Sequence, residues 1–315
     1  LQQFPAKGSY MEMLSTVGLR REHLISPVFV SERPANRTES MPGMPVTPAS
    51  QIVNRVQSIA DAGISSIIIF GIPRDRDRTG SAAYDRNGVV QTAVRKIRAS
   101  FGRQISIITD VCVCQYNLTG HCGLLVNGQV HNDSTLKVLS EVAVSHAQAG
   151  ADIVAPSSMM DGQVRSIRSA LDRQGFSTRI LSYSAKHFSS LYTPFRSAAF
   201  AKKGIIDKSS YQVSFANPKQ TLREIETDIQ EGADMVMIKP GLAYLDLVRA
   251  AKDRFDVPVA VQNVSGEYAM VKAASKRGWI DEDEWKALSI ASMKRAGADK
   301  IISYFTLELA GYLPE

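Results

Sequence analysis

Two lysines are the residues best placed to do chemistry. Lys186 closes the run TRILSYSAK (Thr178–Lys186) and Lys239 lies in MVMIKP (Met235–Pro240), so each ends a stretch that reads as a buried strand. One strand-end lysine is most often a side chain snorkelling to water. Two on neighbouring strands differ, because desolvation and mutual repulsion both lower an ammonium pKa. That leaves neutral amine to attack a carbonyl, which is Schiff-base chemistry. The three cysteines, Cys112, Cys114 and Cys122, all fall within DVCVCQYNLTGHCG. Alternate residues of a strand face the same way, so Cys112 and Cys114 could share a site to which Cys122 returns from the loop. Three thiolates leave one position of a tetrahedral zinc open to water or substrate. His121 as a fourth ligand, or buried thiols with no metal, are the alternatives. Asp110 could serve as a base or orient a ligand. Arg196, Lys202, Lys203 and Lys208, in the long connection after Lys186, could hold carboxylates, although each alone is an ordinary surface charge.

The elements that must position these groups follow from eight near-continuous apolar runs: Leu24–Val30, Ser65–Ile72, Ile105–Val113, Ala151–Ser157, Thr178–Lys186, Met235–Pro240, Pro258–Ser265 and Lys300–Phe305. Such runs suit parallel strands covered on both faces. Amphipathic windows separate them: Ser50–Ala62, Asp133–Gly150, Gln163–Leu171, Gln220–Glu231, Leu245–Phe255 and Asp281–Ala296. Three of these end in AGAD or EGAD, at Ala149–Asp152, Glu231–Asp234 and Ala296–Asp299, with a glycine to stop the helix and a strand shortly after. Strict alternation with eight strands predicts an α/β fold, a (β/α)8 TIM barrel, with a doubly wound open sheet as runner-up. In such a barrel the site lies at the C-terminal strand ends, where Cys112, Cys114, Lys186, Lys239, Ser265 and Tyr304 would converge. Residues 1–20 precede the first strand and carry Phe4, Tyr10, Met11, Met13 and Leu14, an apolar arm suited to another subunit. Residues 21–315 form the barrel, with a lid at about 187–218.

The 315 residues are 44% apolar and 22% charged, which rules out disorder as the dominant state. No window approaches a membrane span, and LQQFPAKGSYMEML lacks the apolar core of a secretory signal. The net charge of +6 admits anionic partners, but the basic residues are scattered and the densest group, RDRDRTG, alternates with acids, so nucleic acid is not expected. An odd number of clustered thiols fits the cytoplasm, or an organelle with a reducing interior, better than a secreted disulfide framework.

DVCVCQYNLTGHCG, SYSAKHFSSLYTPFR, DMVMIKPGLAYLDLVR and VSGEYAM resemble the signatures of the porphobilinogen synthase (5-aminolevulinate dehydratase) family, and the similarity runs from about Leu24 to Phe305. The resemblance implies a hydro-lyase of heme (tetrapyrrole) biosynthesis that condenses two molecules of 5-aminolevulinate. Lys239 would form the Schiff base with the first molecule and Lys186 would bind the second. Cys112, Cys114 and Cys122 would hold zinc. Ser265 and Tyr304 would hold the first carboxylate, and Arg196 and Lys208 the second. Glu224, in LREIE, matches the ligand of an allosteric magnesium in those members that have one. The family assembles as homo-octamers through N-terminal arms. Thr193, Ser197 and Gln262 depart from the family pattern, which raises as an alternative a paralogue acting on another amino ketone in secondary metabolism. A catalytically silent barrel that holds a metal or a partner is the reading from a different class.

Overall fold

The computed structural model describes residues 10–34, 40–200 and 206–314. Eight parallel strands alternate with helices: β1 (Leu24–Ser31), β2 (Ser66–Ile72), β3 (Ser106–Val111), β4 (Ile153–Pro156), β5 (Arg179–Lys186), β6 (Met235–Lys239), β7 (Val259–Gln262) and β8 (Lys300–Ile302). Each pairs with its sequence neighbours, and β8 returns to β1 through Leu24↔Ile301 and Ile25↔Ile302. The sheet therefore closes into a barrel, and the open-sheet alternative falls. Every residue of β1 is buried, and all of β5 except Arg179, because a closed parallel sheet is covered by helices outside and packed side chains inside.

All six amphipathic windows are helical: Ile52–Asp61, Asn132–Ala149, Gln163–Arg173, Pro218–Gln230, Leu245–Arg254 and Glu282–Ala296. Helices at Val89–Phe101 and Ser265–Lys276 were not anticipated. The second overturns part of the strand reading: β7 stops at Gln262 and Ser265 is the first residue of a helix. Likewise β8 stops at Ile302, so Tyr304 lies two residues past the strand, and β3 stops at Val111, so the cysteines stand in the loop beyond it. Apolar composition runs on past each strand end because the mouth residues are buried too. A short strand, Val46–Pro48, adds to the end of β1, and a hairpin pairs Leu125–Val126 with Gln129–Val130.

The repeated Gly-Ala-Asp phrase has one job in all three places. Gly150, Gly232 and Gly297 take φ of 107°, 103° and 116°, which turns the chain out of the helix at a conformation that costs glycine little. The aspartate then grips the preceding strand twice. The backbone N–H groups of Asp152, Asp234 and Asp299 donate to the carbonyls of Ile107, Ile180 and Val259. Their carboxylates accept from the N–H of those same residues at 2.8, 2.7 and 2.8 Å. These contacts lie at the N-terminal face and serve the frame, leaving the opposite face to the site.

Candidate active site

At the C-terminal face one cavity is lined by Cys114, Lys186, Arg196, Lys208, Lys239, Ser265 and Tyr304, all anticipated, and by Tyr192, Phe195, Gln212 and Val264, which were not. Lys186 and Lys239 are register partners across β5 and β6, so strand pairing alone brings them side by side. Both are 8% exposed. Their surroundings differ. Lys186 Nζ donates to the Ser157 carbonyl at 2.5 Å, whereas Lys239 Nζ faces rings, 5.2 Å from the centroids of both Tyr183 and Tyr192. Burial, reinforced by the charge of Lys186, pulls the Lys239 ammonium down to about 7. Asp110 is buried near both lysines, and desolvation raises its carboxyl above the usual range, opposed chiefly by Lys186.

The three thiols meet beside the lysines. Their sulfurs lie within 4.8 Å of one another, all buried and none in a disulfide. Tetrahedral zinc bonded to three sulfurs at about 2.3 Å holds them roughly 3.8 Å apart, so this spacing fits that ion. Among the described residues this is the one close group of three metal-type ligands. Cys112 is pushed up to about 11 by burial, while Cys122 is drawn well below the usual thiol range by hydrogen bonds from Cys112 and Cys114. Lys208 Nζ reaches Cys122 Sγ at 3.1 Å, a further source of negative-charge stabilisation there. His121 stays outside the group and pairs with Tyr211, its Nδ1 3.3 Å from the phenol oxygen.

The connection after β5 is partly helical, with a turn at Ser190–Tyr192 and a helix at Thr193–Phe200. It lies down on the mouth. Phe195 packs between Phe29 and Phe70, with ring centroids 5.5 and 5.2 Å away. Ser265 Oγ accepts from the Phe195 N–H at 3.0 Å and donates to the Leu191 carbonyl at 3.0 Å. Gly266 lets the backbones close up, since a Cβ there would sit 2.6 Å from Leu191 Cα. Arg196, next to Phe195, is 7% exposed and has no carboxylate within ion-pair distance among the described residues. Farther along, Val213 bonds the chain at Lys186 and Phe188. Lys202 and Lys203 lie outside the described residues.

Of the three departures from the family pattern, Thr193 and Ser197 are exposed on the helix Thr193–Phe200 and are not among the cavity-lining residues. Gln262 is buried at the end of β7, and its Oε1 has no hydrogen-bond partner among the described residues. Glu224 lies apart from the mouth, in an outer cleft with Asp161 and Gln220. Burial, with Asp228, Asp161 and Glu231 nearby, lifts its carboxyl to about 7.

Fold and site together define a (β/α)8 barrel that gathers two amines, three thiols and further cationic and hydroxyl groups at its C-terminal mouth. The family model "Delta-aminolevulinic acid dehydratase" matches residues 3–312. The dehydratase of Archaeoglobus fulgidus is 48% identical over 96% of this chain and 95% of its own length. That of Methanothermobacter thermautotrophicus is 46% identical over 96% and 93%, respectively. The crystal structure of the Toxoplasma gondii dehydratase in complex with its product porphobilinogen superposes with a TM-score of 0.90 at 33% identity, covering 99% of this chain and 92% of that one. The chain belongs to the delta-aminolevulinic acid dehydratase family.

Proposed function

We propose that this protein condenses two molecules of 5-aminolevulinate to porphobilinogen, a step of porphyrin biosynthesis, and that the mouth cavity assigns a different half-site to each molecule. The observation that carries the reading is the pairing of Lys239 with Lys186 in one buried cavity that Arg196, Lys208, Ser265 and Tyr304 also line. Lys239, held partly neutral by burial, attacks the ketone of the first molecule. Water leaves, and an imine joins substrate to enzyme. Ser265 and Tyr304 hold that molecule's carboxylate. Lys186 engages the ketone of the second molecule, whose carboxylate is held by Arg196 and Lys208. Asp110 is positioned to move a proton between the two amines. The lid, seated by Phe195 and Ser265, keeps water from the imines.

Cys112, Cys114 and Cys122 would hold a zinc ion, which supplies Lewis-acid polarisation of the second substrate when bound. Glu224 is the candidate ligand for a magnesium outside the active site, supported by its acidic surroundings. The assembly we propose is the homo-octamer, with residues 1–20 as an arm on a neighbouring barrel. No nucleic acid or membrane partner is called for, and no helix among the described residues is long and apolar enough to cross a membrane. A reducing compartment, the cytoplasm first, suits the three free thiols.

Mass-spectrometric product analysis of reduced, zinc-supplied protein incubated with 5-aminolevulinate tests the proposal. Porphobilinogen formed over many turnovers, and lost in Lys239→Met, is expected. Substrate left unchanged by protein with a full zinc complement would refute it.

A further inference from the structure

Glu267 is a buried carboxylate that does not itself line the cavity, yet it is bonded to both of the loops that shape one side of it. It is 3% exposed and occupies the third position of the helix Ser265–Lys276. One oxygen, Oε2, accepts from the Val264 N–H at 2.7 Å and from Asn263 Nδ2 at 3.1 Å, both in the turn after β7. The other, Oε1, crosses to the loop after β6 and accepts from the Leu242 N–H at 2.8 Å. Local helix capping explains the Val264 bond. It does not explain the reach to Leu242, twenty-five residues away in sequence.

The two loops so joined each carry one half of a single binding function. Gly241 and Leu242 follow Lys239 and Pro240, and Val264 precedes Ser265. Packing alone holds them close, for a Cβ on Gly241 would come within 2.9 Å of Val261 Cγ1 and 3.1 Å of the Gln262 carbonyl. The carboxylate bonds add direction to that packing.

We propose that Glu267 is a positioning residue that fixes the spacing between the Lys239 amine and the Ser265 clamp, so that the enzyme measures the distance from ketone to carboxylate in the first substrate. The proposal rests on the assignment of Lys239 and Ser265 to one substrate molecule. Only an acceptor-only group can serve all these donors, so an isosteric amide would set its NH2 against one of the N–H groups. Aspartate keeps the charge and can still cap its own helix, but is one methylene too short to reach Leu242.

The test compares two ketone probes, levulinate and 2-pentanone, trapped at Lys239 by cyanoborohydride in the zinc-loaded full-length enzyme. The wild type should trap levulinate, which has the carboxylate, far more efficiently than 2-pentanone, which lacks it. In Glu267→Gln and in Glu267→Asp that preference should fall at least about 10-fold, the scale of losing a charge-assisted hydrogen bond. The 2-pentanone rate and the zinc stoichiometry should stay at wild-type values, showing that the barrel and the amine are intact. Wild-type preference in whichever variant folds, with only a lowered Tm, would overturn the positioning role and leave Glu267 a structural bond. A wild-type enzyme that shows no preference at all would refute the assignment of Lys239 and Ser265 to one molecule, and this proposal with it.

Discussion

Lys186 and Lys239 share a strand-end position, a degree of burial and a cavity, but not an environment. The ring-faced Lys239 loses solvation without gaining a hydrogen-bond acceptor among the described residues, whereas Lys186 donates to the Ser157 carbonyl. Reaction at Lys239 needs the neutral amine, whose fraction rises as pH climbs through the folded pKa of about 7. The rate of levulinate trapping at Lys239 should therefore rise with a midpoint near pH 7 and level off above it. A rate that rises only above pH 9, as for a solvated lysine, would contradict this. The thiols separate from the amines in the same way. Removal of zinc by a chelator should stop porphobilinogen formation while trapping at Lys239 persists, and added zinc should restore turnover. Loss of trapping together with turnover would show that the metal supports the whole cavity and not the second substrate alone.

Among the elements, the lid and the strand starts make separate demands on the sequence. Gly266 gives the lid its seat, so Gly266→Ala drives a methyl against the Leu191 backbone and should lower kcat/KM by about 10-fold or more, in line with small displacements at a reacting centre. Unchanged kcat/KM would show that the lid can sit elsewhere. At the opposite face, Asp152→Ala removes the acceptor for the Ile107 N–H and the ion pair to Arg98. It should cost about 1–3 kcal/mol of stability in urea unfolding at fixed protein concentration, with kcat unchanged. The barrel was legible because parallel strands covered on both faces read as continuous apolar runs, and its closure is what eight of them permit. The ends of β7 and β8 were not, since Asn263, Val264, Ser303 and Tyr304 are buried beyond the last ladder bond and look like strand by composition. Lys186, Lys239 and the thiols carried enough chemistry to be found from type and spacing. Arg196, Lys208, Ser265 and Tyr304 were singled out by position alone, and their division into two carboxylate clamps came only through resemblance, because a lone arginine or serine in a loop has no local signal for such a role. Tyr192 and Phe195 were not picked out among the aromatics of the connection after Lys186, and Glu267 carried no signal because the helix that holds it was not anticipated.

For the whole molecule, the helix Tyr10–Thr16 is the described part of the arm, and it packs on the helix Glu282–Ala296 and sets Tyr10 edge-on to Tyr312 at 6.2 Å. These two helices leave Met13, Trp285 and Leu288 exposed, apolar surface of the kind a subunit contact covers. Deletion of residues 1–20 should shift the mass measured by light scattering from an octamer to smaller species, and an unchanged mass would remove the arm from the assembly. The central claim, that one barrel mouth holds two copies of a single substrate on two unlike lysines, is tested most directly by borohydride reduction in the presence of 5-aminolevulinate, followed by peptide mapping. Label should appear first on Lys239 and, at higher substrate concentration, also on Lys186. Label on neither lysine, or on Lys186 alone, would contradict it.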